Sequence, residues 1–201
     1  TWLDTGFTMT DNLLSWCAAN NMYLILDMHA TPGGQGHDAN ISDYDDTKPS
    51  LWESQANRDK LVALWQKLAL RYKDSPWIGG YDIINEPNWN FEGSNVNGCS
   101  ENNNTPLKNL MVTITQAIRQ VDTNHLVIIE GNCWGNNYNG ILSGGLWDQN
   151  MAMSFHKYWN NNTTGAIQGL LNYRSQYNIP LWLGESGENS NVWFRDAIKL
   201  A

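Results

Sequence analysis

The sequence predicts an α/β fold of successive parallel βα units, and three observations carry that prediction. A short apolar run, a polar loop rich in Asn, Gly or Asp, and an amphipathic helical stretch recur in this order along the 201 residues. Acidic, amide and imidazole side chains stand where the apolar runs stop, at the strand end where parallel barrels carry chemistry. Five strands can be counted, whereas a closed (β/α)8 barrel has eight in about 250 residues. The expected architecture is a partial (β/α)8 TIM barrel lacking about the first two strands and the last strand, with residues 1–201 as a single domain.

The elements follow in order. Residues 1–9 read as a loop entering a helix over residues 10–20, whose apolar positions are Leu13, Leu14, Trp16 and Cys17, and which feeds a strand over 22–28. A helix over 55–73 keeps Leu61, Leu64, Trp65, Leu68 and Tyr72 on one face and leads to a strand over 77–84. The third helix has the clearest start: Thr105 is the expected N-cap and Pro106 the first helical residue. Its stripe of Leu107, Leu110, Met111, Ile114, Ala117, Ile118 and Val121 ends before a strand over 125–129. Strands over 151–155 and 180–183 flank a helix over 166–176, and residues 189–201 read as a helix without a Gly or Pro stop.

Composition narrows the ligand. Twelve Lys and Arg against 20 Asp and Glu give a formal charge of −8, which repels phosphate backbones and anionic lipid, so nucleic-acid binding is not expected. The apolar runs fall far short of the roughly 20 residues that span a bilayer, so no membrane crossing is expected either. Eleven Trp and 8 Tyr suit the flat apolar faces of sugar rings. Cys17, Cys99 and Cys133 are odd in number and lack C-x-x-C spacing; they are expected as free thiols, in neither a zinc ribbon nor a disulfide framework. The start, Thr1-Trp2-Leu3-Asp4, has no basic or apolar leader, so an export signal would have to lie outside this segment.

The residues at the predicted strand ends are His29, Asn85 with Glu86, Glu130, His156 with Tyr158, and Glu185. Carboxylates at the same end of two parallel barrel strands project into one mouth. A carboxylate pair is what glycoside hydrolysis needs: one group protonates the departing oxygen, the other attacks or activates water.

These segments also carry a resemblance. Ile83-Ile84-Asn85-Glu86-Pro87 resembles the acid/base signature of glycoside hydrolase family 5, the cellulase family, at the end of the fourth barrel strand. Leu24 to His29 resembles the family's third strand, His156-Lys157-Tyr158 its sixth-strand His-x-Tyr, and Trp182-Leu183-Gly184-Glu185 its nucleophile segment. The likeness covers essentially the whole chain in the right order. It implies a truncated catalytic domain of a secreted, retaining endo-β-1,4-glucanase acting on β-glucan polysaccharide or oligosaccharide, with no metal or cofactor. Mannan, xyloglucan, β-1,3-glucan or carbohydrate binding without turnover are the alternatives. The family's supporting Arg on the second strand and floor Trp on the eighth have no counterpart in these residues.

The resemblance gives each residue a role. Glu86 becomes the general acid, its pKa raised by a nearby second carboxylate, and later the base. Glu185 becomes the nucleophile, with its carboxyl expected about 5 to 5.5 Å from that of Glu86. Asn85 hydrogen-bonds the substrate 2-hydroxyl, Tyr158 orients Glu185, and His29 and His156 bind hydroxyls of the same sugar. Glu130 is expected to anchor neighbouring polar groups. Trp134, Trp159 and Trp89 stand in loops where they can stack on sugar faces, and Trp134 is the first choice among them. The acidic segment 38–46 lacks the Gly and closing Glu of an EF-hand loop and reads as solvated. The glycine-rich stretch 29–36 has neither the Lys of a P-loop nor the G-x-G-x-x-G of a dinucleotide turn and reads as a tight loop near substrate. Missing strands would leave the first and last strands as bare edges, so a homodimer or larger oligomer that covers them is expected.

Overall fold

Five strands lie side by side in chain order, all parallel, in one curled sheet: β1 (Leu24–Asp27), β2 (Ile78–Asp82), β3 (Leu126–Ile129), β4 (Met151–Lys157) and β5 (Leu181–Ser186). The computed structural model describes residues 2–93 and 96–201; Thr1, at the head of the expected N-terminal loop, lies outside them. Helices α1 (Asp4–Ala19), α3 (Gln55–Tyr72), α4 (Thr105–Arg119) and α6 (Gln168–Tyr177) alternate with the strands, and α7 (Asn191–Leu200) follows β5. Two single turns, α2 (Ala39–Ser42) and α5 (Asn132–Gly135), and a 3₁₀ turn (Thr164–Ile167) sit in the connections. The result is an open half-barrel of βα units.

The core lies between the sheet and the α3/α4 pair. Leu61, Trp65 and Ala69 of α3 and Met111, Ile114 and Ile118 of α4 are buried against Ile78, Tyr81, Val127 and Ile129. Trp65 also donates its indole N–H to the Ile83 carbonyl at 2.9 Å, so even the polar edge of the largest core side chain is satisfied. All seven residues of β4 are buried, whereas β5 alternates between half-buried and exposed and α6 buries no residue fully.

Four expectations change. Residues 4–9 belong to α1 rather than to a loop. Their Thr and Gly content hides the helix, but Asp4 favours its N-terminus, Phe7 is buried, and Lys67 and Arg71 of α3 lie over the Phe7 ring. The N-cap position of α4 is Asn104 rather than Thr105, and the Thr105 amide is taken by the Asn103 side chain. Strands β4 and β5 run past their apolar stretches, because backbone pairing continues through polar residues: His156 pairs with Glu185 and Lys157 with Ser186. Finally, Cys99 and Cys133 are joined in a disulfide, with Cα atoms 4.7 Å apart, and only Cys17 is free among the described cysteines. Their loops follow adjacent strands β2 and β3 and so meet at one mouth, a proximity that residue spacing does not reveal.

Candidate active site

The site is built by the strand ends in turn. β1 closes with Asp27, whose carboxylate lies 2.9 Å from His29 Nδ1 and turns that ring toward the mouth. Burial pushes the Asp27 carboxyl up, while its bond to His29 works in the opposite direction. The glycine-rich loop that follows begins with a turn in which the Gly34 amide donates to the Thr31 carbonyl at 2.9 Å. Its Gln35 side chain donates to the carbonyls of His29 and Asn85 at 2.9 and 2.8 Å, stitching the ends of β1 and β2 together.

Past β2, Asn85 and Glu86 are buried. Glu86 has a φ of 42°, a left-handed conformation that a non-glycine residue adopts only when its surroundings enforce it. Its amide donates to Glu130 Oε2 at 2.8 Å. Its carboxylate Oε1 lies 2.5 Å from His156 Nδ1. The Asn85 side-chain nitrogen is buried without a protein partner.

β4 and β5 bring the second carboxylate. Phe155 pairs with Leu183 but His156 with Glu185, so Gly184 is the extra residue of a bulge. A Cβ there would run into Ser154 Oγ and stand 3.1 Å from His156 Nε2; only glycine lets the strand close this far. Glu185 then accepts the Tyr158 phenol at 2.6 Å, and burial together with this carboxylate pushes the phenol up. Glu185 also lies 3.7 Å from His156 Nδ1 and 4.0 Å from His29 Nδ1. An oxygen of Glu86, an oxygen of Glu185 and a nitrogen of His156 all lie within 4.8 Å of one another.

His156 is the hub of the charges. Burial alone would lower its pKa, but the Glu130 and Glu86 carboxylates outweigh burial and push it up to about 10. One ligand atom each from Glu86, His156 and Glu185 also has the spacing of a metal site. Behind the pair, Asp82 and Glu130 are buried carboxyls, both pushed up chiefly by burial.

A cleft of about 780 Å³ runs over this centre. It brings together His29, Glu86, Trp134, His156, Tyr158 and Glu185 from the predicted set, with Trp159 at its wall. Asn85 instead faces a smaller cavity of about 150 Å³ behind Glu185. Trp89, half-buried, does not line this cleft, and its ring stacks on His37 at 4.0 Å and meets Tyr44 edge-on. Trp134 stands in the left-handed turn α5, next to the disulfide-bonded Cys133. Lys157, buried, donates to Asn160 and Asn161 and fixes the loop that carries Tyr158 and Trp159. Sequence reasoning missed Asp27, Asp82, and Asp38 and Glu188, which line the cleft. Asp27 and Asp82 were legible as carboxylates closing apolar strands.

A family description, cellulase (glycosyl hydrolase family 5), matches residues 2–199. A β-xylosidase of Phanerodontia chrysosporium is 29% identical over 76% of this chain and 29% of its own length. Endoglucanase C of Acetivibrio thermocellus is 29% identical over 68% of this chain and 33% of its own. The chain thus spans about a third of the length of these relatives. Among solved structures, endoglucanase Cel5A from Thermotoga maritima superposes with a TM-score of 0.70 at 18% identity, covering 98% of this chain and 64% of that one. That likeness concerns the fold.

Proposed function

The chain belongs to the cellulase family, glycosyl hydrolase family 5, and from that premise we propose that residues 1–201 are part of one catalytic domain of a retaining endo-β-1,4-glucanase. Glu185 attacks the anomeric carbon and forms a glycosyl ester while Glu86 gives its proton to the departing oxygen. Glu86 then takes a proton from the water that breaks the ester. The observation that carries this reading is the approach of the two carboxylates to within 4.8 Å. Retaining enzymes keep their pair about 5–5.5 Å apart, whereas inverting enzymes need about 6.5–9.5 Å to admit a water.

In this reading Tyr158 orients Glu185, His29 and Asn85 bind hydroxyls of the same sugar, and His156 meets that sugar with its ring edge because both its nitrogens face carboxylates. Trp134 stacks on a sugar face. The mixed names of the relatives, a β-xylosidase and an endoglucanase at equal identity, favour a second substrate reading, in which xylan-type, mannan or β-1,3-linked glycan replaces cellulose. Reducing-sugar release from a panel of these polymers, with NMR of the first anomer formed, tests both readings. Release of the β-anomer from β-1,4-glucan is expected. An α-anomer overturns retention, release from another polymer alone selects the second reading, and no release from any polymer leaves a carbohydrate-binding segment.

The disulfide supports an oxidising compartment and hence export. The bare edges support self-association: Met22 and Tyr23 lead into β1, and Trp182 on β5 is 43% exposed. Sedimentation at micromolar concentration should show a dimer or larger species, and a clean monomer of 22.8 kDa would count against it.

A further inference from the structure

Glu130 stands one residue past β3, is 1% exposed, and lines not the 780 Å³ cleft but the 150 Å³ cavity beside it, which Asn85, His156 and Glu185 also line. Its two oxygens nevertheless serve two different parts of the site. Oε2 accepts the Glu86 amide at 2.8 Å, and Oε1 lies 3.1 Å from His156 Nε2. The opposite nitrogen of that ring, Nδ1, is the one that meets the Glu86 carboxylate at 2.5 Å. Glu130 thus reaches Glu86 twice, once through the main chain and once through an imidazole.

Its own placement is rigid. Just before it, the Tyr138 phenol lies within hydrogen-bond distance of the carbonyls of both Ile129 and Ser154 and shares its single proton between them, bridging β3 and β4. Above it, the turn α5 closes so tightly that a Cβ on Gly135, which has a φ of 79°, would stand 3.1 Å from Glu130 Oε2. The chemistry of the two contacts also selects a carboxylate. Oε2 accepts the Glu86 N–H, while Oε1 makes no well-directed hydrogen bond and faces His156 Nε2 as an ion-pair partner, so an amide, which carries no charge and would put an NH2 at one of the two places, does not replace it.

We propose that Glu130 is a positioning residue for the acid/base step: one oxygen holds the Glu86 main chain in its left-handed conformation, the other holds the His156 ring, and together they aim the Glu86 carboxyl at the scissile oxygen. This rests on the assignment of Glu86 as acid/base. The charged groups facing His156 are Glu86, from the loop after β2, Glu130 after β3 and Glu185 on β5, with Asp27 of β1 and Asp82 of β2 behind them. Removing the Glu130 charge weakens the hold of this cluster on its protons, whereas shortening the side chain keeps the charge and loses the reach.

Two variants separate these effects. E130Q should lower kcat about tenfold to a hundredfold with KM within twofold, and move the alkaline limb of the pH–kcat profile down by about 1–3 units. E130D should lower kcat by a similar factor and leave that limb in place. Hydrolysis of an aryl β-cellobioside by the full chain gives both readouts. Titration of the imidazole nitrogens by ¹⁵N NMR, with H156Q assigning the His156 signals, gives a readout independent of turnover: the His156 midpoint should fall in E130Q and stay in E130D. If the wild-type chain cleaves no β-glycan, the proposed function fails and this titration still decides the placement of Glu130. Unchanged kcat and an unmoved His156 midpoint in E130Q would overturn the proposal. If E130Q does not fold, E130D decides alone: lower kcat with the limb unmoved supports it, and unchanged kcat overturns it.

Discussion

Glu86 and Glu185 face each other across one cleft, yet the walls that carry them are built differently. Glu86 follows β2, an inner strand paired on both sides, with β1 and β3, and backed by the buried α3/α4 pair. Its amide, its carboxylate and its backbone conformation are each fixed by a buried neighbour. Glu185 lies on β5, which has one neighbouring strand, alternates half-buried and exposed residues, and leaves the Glu185 side chain 28% exposed. Its placement rests on Tyr158 and on the Gly184 bulge. Glu86 is thus part of the core, while Glu185 is held by one strand pairing and one phenol.

The comparison breaks most clearly at Glu185. Glu185→Gln should lower turnover of every substrate by about 10⁴-fold or more, measured on both aryl glycosides and oligosaccharides. Glu86→Ala should cost about 10²–10⁴ on natural oligosaccharides and far less in the glycosylation of aryl glycosides whose leaving groups need no proton. Equal losses on the two substrate kinds would mean that the two walls carry the opposite roles.

The disulfide sharpens the comparison on the Glu86 side. It closes a loop across a sequence separation of 34 and so contributes about 3–4 kcal/mol by restricting the unfolded chain. Reduction should lower Tm by roughly 6–16 °C. Hydrogen exchange should then quicken in the turn α5 and the loop after β2 before it does in β5. Uniform loosening would show that the walls are one cooperative unit.

The smallest effect, per unit of pH, belongs to His156, which joins the two walls. Its pKa is about 10 in the folded chain against about 6.5 when unfolded. Between these values the folded state holds the extra proton, so stability falls as pH rises. The contribution is complete below about pH 6.5 and is lost as pH passes through about 10. Thermal melts of the wild type should drop with pH in this window by at most ~1.4 kcal/mol per unit, and H156Q should melt with a flatter dependence.

How much of this the sequence disclosed follows from the length scale of each feature. The strands and their polar ends were legible because an apolar run and its interruption are local, and Asn85-Glu86-Pro87 and Gly184-Glu185 mark both carboxylates. The extent of β4 and β5 was not, since a ladder of backbone bonds continues through His156 and Lys157 whatever their side chains. Nor was the left-handed Glu86, which is enforced from Glu130, 44 residues on. The Cys99 to Cys133 bond escaped for the same reason: it depends on β2 and β3 being neighbours, which no spacing of cysteines states.

The sheet order, identical to the order of the chain, also has a meaning in time. No strand has to be inserted between two already in place, so each newly made strand can add to the edge left by the one before it as the chain leaves the ribosome. The wall of Glu86 would gain Glu130 with β3 and His156 with β4, and only the arrival of β5 would bring Glu185 within reach. The carboxylate pair would then be completed only with the last strand, and a chain stalled before β5 would hold Glu86 in place with no carboxylate facing it.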